Sequence, residues 1–82
     1  MGVRVRLFAA LREAAGTAEE RLEPGLLPDL LYQLCARHGD VFRSRLAIST
    51  VLLDVTAQPH DAAVEVPDGG ELALLPPVSG GA

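Results

Sequence analysis

Over the first eight residues apolar and polar positions alternate: Val3, Val5 and Leu7 fall on one face of an extended chain, Arg4, Arg6 and Phe8 on the other. A period of two predicts a half-buried strand over 3–8. Residues 9–16 hold alanine, leucine, arginine and glutamate and close on Gly16, which predicts one or two helical turns with a glycine stop. Residues 17–23 are polar and only weakly periodic, and are assigned as a second strand; Pro24-Gly25 marks a turn.

The period then changes. Leu27, Leu30, Leu31, Leu34 and Cys35 recur at the spacing of a helix with one buried stripe, so the main helix is placed over 27–38. Pro28 suits its first turn and Gly39 its end, while no Ser, Thr, Asp or Asn stands just before it as a cap. A further short helix is expected in 40–46. Residues 49–55 are β-branched and apolar and read as a third strand. The stretch 56–66 is irregular with room for one short strand, and 67–70 (Pro-Asp-Gly-Gly) is a turn. Leu72, Ala73, Leu74 and Leu75 run apolar without alternation, as in a strand covered on both faces or buried centrally. Pro76 and Pro77 lack backbone donors and end its pairing.

Strands around one long helix in a short chain predict an α+β fold. If the first and last strands are neighbours, the helix acts as the crossover of a parallel pair. That is the β-grasp (ubiquitin-like) arrangement, a mixed sheet with one main helix packed on one face; a plain α+β roll is the alternative. The expected division is a β-grasp domain over 1–77 and a flexible C-terminal tail with a di-glycine over 78–82.

Composition narrows the function. With 82 residues, 49% hydrophobic and 22% charged, the chain suits one small globular core. One cysteine rules out an internal disulfide framework and points to a cytoplasmic protein. A net charge of −4 argues against a nucleic-acid partner, and no apolar run is long enough for a membrane span. All seven basic residues are arginine, so no lysine is present to receive an isopeptide bond.

No catalytic constellation emerges. Cys35 lies on the helix stripe and reads as a small buried hydrophobe. His38 suits a helix C-terminus, and His60 stands alone in a loop beside Asp61, so no metal site is expected. Glu13, Glu19, Glu20 and Glu23 read as a solvated surface. Asp68-Gly69-Gly70 lacks the Lys and Ser/Thr of a phosphate loop. The chain is read as no enzyme by itself and as binding no cofactor.

The C-terminal stretch Pro76, Pro77, Val78, Ser79, Gly80, Gly81, Ala82 invites a different role. Glycines permit close approach of backbone to a nucleotide or a narrow channel, and the prolines lower the entropy lost on docking. Ordering a tail costs about 1–2 kcal/mol per residue, and burying Val78 returns only about 1.5–3 kcal/mol. A surface on the body must supply the rest. Phe8 beside Arg4 and Arg6 is the candidate docking face.

Two motifs give these features a family setting. The opening 3–16 (VRVRLFAALREAAG) and the close 68–81 (DGGELALLPPVSGG) resemble the two ends of the MoaD/ThiS sulfur-carrier family, nearest to its molybdopterin-type carriers. The resemblance implies a β-grasp fold. It implies that Gly81 is adenylated by an E1-like adenylating enzyme, which uses ATP, and is converted to a thiocarboxylate. That sulfur would serve molybdopterin (molybdenum cofactor) synthesis in a large synthase subunit or another sulfur-accepting enzyme. By the same resemblance Gly80, Ser79, Val78 and Pro77 thread into the partner. Family members usually carry an Asn-Gly turn where Asp54-Val55 stands here, and a Thr cap at the helix start. Ala82 follows the glycine that the chemistry needs, so it is either removed by a trimming protease, incidental, or the mark of an inactive form. Two further readings remain: the same chemistry serving cysteine, thiazole or a secondary metabolite, and a β-grasp interaction module or protein modifier without sulfur chemistry.

Overall fold

A computed structural model of the chain describes residues 2–77. Strand β1 (Val3–Leu7) leads into helix α1 (Ala9–Ala15), followed by β2 (Glu19–Leu22) and the short β3 (Gly25–Leu26). Helices α2 (Leu27–His38) and α3 (Asp40–Ala47) come next, then β4 (Thr50–Leu53), β5 (Thr56–Gln58), β6 (Glu65–Val66) and β7 (Glu71–Leu75).

Five strands form one mixed sheet in the order β2-β1-β7-β4-β5, and β3 pairs with β6 in a separate ribbon. β1 and β7 are parallel neighbours at the centre, with Val5 opposite Leu72 and Leu7 opposite Leu74. The other pairings are antiparallel. First and last strands therefore meet as the β-grasp reading requires.

The helices cover one face of this sheet. All five stripe positions of α2 are buried, and they share a core with Val3, Val5, Leu7, Val51, Leu72, Leu74 and Phe42. Full burial of each Leu, Val or Phe contributes about 1.5–3 kcal/mol, which is why the stripe, not a cap, holds α2 in place. Its N-terminus has no side-chain cap, as the sequence indicates, and Gly39 closes it by donating its N–H to the Cys35 carbonyl at 2.8 Å. Gly16 ends α1 at φ 77°, a left-handed conformation that glycine adopts without a Cβ penalty.

Four expectations change. Strand β1 stops at Leu7, and Phe8 instead precedes α1 as its N-cap residue. Gly25 lies in a two-residue strand and not only in a turn. The stretch 56–66 contributes two short strands, because the stretch read as one strand over 49–55 folds back at Asp54-Val55. β7 lies centrally but is covered on one face only: Leu72 and Leu74 are buried, while Glu71, Ala73 and Leu75 stay half-exposed.

Candidate functional site

The end of β7 and the end of β1 lie side by side. Phe8 donates its N–H to the Leu74 carbonyl at 3.2 Å, so the residues that leave the sheet at Pro76 and Pro77 do so beside the start of α1. A groove of about 80 Å³ opens there between Phe8, Ala9, Ala10, Ile48, Pro76 and Pro77. Its walls are mostly apolar, with Arg45 and Ser49 also lining it. Ile48 remains 66% exposed beside it, and Arg45 ties the two flanking helices by donating to the Ala10 carbonyl at 2.9 Å. Ala9 takes φ 50° at this corner, a left-handed backbone unusual for a residue with a side chain.

The uncovered sheet face continues from the groove. On β1 and its neighbours it is charged: Arg4 Nε lies 3.0 Å from Glu19 Oε2, and Arg6 lies 3.5 Å from Glu71 Oε2. The Arg6 guanidinium also sits 5.4 Å from the centre of the Phe8 ring, a cation–π distance. On β7 and β4 the face is apolar, with Leu52, Ala73 and Leu75 half-exposed. A shallow hollow of about 200 Å³ lies over Leu52, Ala73 and the Asp54-Val55 turn.

The structure therefore brings Phe8 and Arg6 together and places Arg4 two residues away on the same face, with both arginines in ion pairs. Pro77 is exposed at the rim of the groove. Val78, Ser79, Gly80, Gly81 and Ala82 lie outside the described residues. The apolar half of the face was missed in sequence, because the unbroken apolar run at 72–75 reads as burial on both sides.

Other candidates fall into structural roles. Glu20 is not a solvated carboxylate: only 9% of its side chain is exposed, and its two oxygens meet the Arg37 guanidinium and His38 Nε2. The His38 ring in turn packs on Phe42 at 5.0 Å. His60 Nε2 contacts the Ser49 carbonyl at 2.8 Å. Burial pushes the Cys35 thiol above its ordinary pKa, against a smaller opposing pull from Arg43, which disfavours the reactive thiolate. The Asp68 carboxyl is held below its usual range, first by the Gly2 N–H that it accepts. Among the described residues no group of three or more His, Cys, Asp or Glu could hold a metal ion, and no helix is long and apolar enough to cross a membrane.

Comparison with known proteins places these features. The model of the ThiS family matches residues 5–81. A molybdopterin synthase sulfur carrier subunit from Chlamydomonas reinhardtii is 34% identical over 84 residues, covering 99% of this chain and 100% of that one. Among solved structures, small archaeal modifier protein 1 from Haloferax volcanii is 30% identical, with a TM-score of 0.75 over 93% of this chain and 97% of its own. A putative molybdopterin converting factor subunit 1 from Pyrococcus furiosus is 26% identical, with a TM-score of 0.79 over 93% and 97% of the two chains.

Proposed function

The chain belongs to the ThiS family, and from that premise we propose that it is a sulfur carrier of the molybdopterin synthase type. The observation that carries this reading is the family match over residues 5–81, together with full-length likeness to a named sulfur carrier subunit. The body contributes position, not catalysis. Its last strand ends at two prolines beside an apolar groove and a half-apolar sheet face, which suits a partner that must hold the body while it takes the tail.

The chemistry resides in the terminal carboxylate of Gly81. Attack of a carboxylate oxygen on the α-phosphorus of ATP, at an E1-like enzyme, gives an acyl adenylate and releases pyrophosphate. Hydrosulfide then attacks the acyl carbon, displaces AMP with its electron pair and gives up its proton to leave a thiocarboxylate. Pro77, Val78, Ser79 and Gly80 thread the channel, and a large synthase subunit takes the sulfur. Ala82 has to leave first, because this chemistry needs the carboxylate of a terminal glycine.

Intact mass of the protein from its own cells tests this. The expected species lacks one alanine and carries one sulfur in place of oxygen. A mass that keeps Ala82 when sulfur demand is high would overturn the reading. With Ala82 deleted, Gly81→Val should fold normally and accept no sulfur.

A second reading is favoured by the likeness to a small archaeal modifier protein. In it the same activated glycine joins the amine of another protein. Isolation of covalent adducts through Gly81, without any thiocarboxylate species, would select it. Cysteine, thiazole or secondary-metabolite synthesis remains an alternative destination for the sulfur.

A further inference from the structure

An activated glycine is an electrophile, and the chain that bears it is the nearest molecule at high local concentration. A carrier surface with competent nucleophiles would consume its own cargo. Resting on the activation chemistry proposed above, we propose that this chain is a one-way acyl donor: its side chains accept no acyl group, so it forms no covalent chains of itself.

The inventory supports this from sequence and structure together. Attack by an amine forms the C–N bond, breaks the C–O bond to phosphate, releases AMP with its electron pair and gives a proton to solvent. A free nitrogen lone pair is required. All seven basic side chains are arginine, and guanidinium groups stay protonated in proteins. The sole thiol, Cys35, is only 6% exposed and sits on the core side of α2. His38 Nε2 and His60 Nε2 donate to Glu20 and to the Ser49 carbonyl, which leaves each ring's lone pair on Nδ1; an acyl imidazole formed there would be lost to water and leave no lasting link. Tyr32 is exposed, but its hydroxyl, like those of the serines and threonines, is a weak nucleophile until an adjacent base activates it.

The consequence differs between the two functional readings. As a sulfur carrier, the chain keeps its adenylate for an external sulfur nucleophile. As a modifier, it would cap a target once and could not be extended through a side chain.

The test needs no activating enzyme, so it stands apart from the proposal on which it rests. Residues 1–81 are prepared as a C-terminal thioester with the α-amine acetylated. They are then mixed at mildly alkaline pH with an excess of acetylated full-length chain. A small amine serves as the control for thioester reactivity. Wild-type acceptor should give no covalent dimer above the detection limit of intact mass, whereas an Arg12→Lys acceptor should give dimer at roughly ten times that limit or more, because an ε-amine titrates near 10 and a guanidinium does not. Arg12 is exposed on α1 and the change keeps its charge. A wild-type dimer matching the variant's would overturn the proposal. So would failure of both acceptors while the small amine reacts, since the side-chain inventory would then not be what silences the chain.

Discussion

Val55 is 91% exposed and takes φ 68°, next to Asp54 at φ 47°. Two consecutive positive φ values between β4 and β5 are those of a type I′ hairpin turn. Asp54 is suited to its place: its N–H donates to the Glu71 carbonyl at 3.0 Å, and its Oδ1 accepts from the Glu71 N–H at 3.1 Å. Val55 is not, because its branched Cβ crowds the backbone in this region. Val55→Gly should therefore raise stability by about 1 kcal/mol, read as a higher urea midpoint with unchanged slope. The turn was hidden in sequence for the same reason. A β-branched residue after Thr50–Leu53 prolongs the strand signal, and no glycine interrupts it. Glu20 misled in the opposite direction: a carboxylate in a polar run gives no hint that an arginine and a histidine on a distant helix will enclose it.

At the scale of elements, legibility followed the strength of the repeat. The bounds of α2 were readable because five apolar residues at helical spacing admit one buried face. β3 and β6, two residues each, contain too few positions to show any period. What joins the elements was not readable, since ion pairs depend on a packing that the pattern does not encode. The Glu20 contact to Arg37 and His38 fastens the sheet's outer strand β2 to the C-terminal turn of α2. Glu20→Ala should cost about 1–3 kcal/mol, because it leaves a part-buried His38 and an arginine without their acceptor. Glu19→Ala, whose pair with Arg4 is nearly half exposed, should cost at most about 1 kcal/mol. Equal losses in chemical denaturation would show that burial of Glu20 is not what gives its contact weight.

For the molecule as a whole, the meeting of β1 and β7 was legible from the order of elements, while the half-open sheet face was not. The reason lies in β7, whose outward residues Ala73 and Leu75 are apolar although the helices do not cover them. Among the described residues the hydrophobic core runs from Val3 to Leu74. A chain ending at Pro77 should therefore unfold at the same midpoint as the full chain, by thermal and by urea denaturation, while losing all sulfur transfer. A drop of more than about 0.5 kcal/mol, beyond what an uncoupled surface change produces, would show that the last residues belong to the folded body.

The place of β7 between β1 and β4 has a mechanical consequence. The chain reaches Pro76 and Pro77 from a strand that is held by ladders on both sides. Tension from a partner's channel would load those hydrogen bonds together in shear, and could not peel them away singly from an edge. A tug on the thread would thus meet the stiffest direction of the sheet, and under load the lifetime of the body would be set by its unfolding rate.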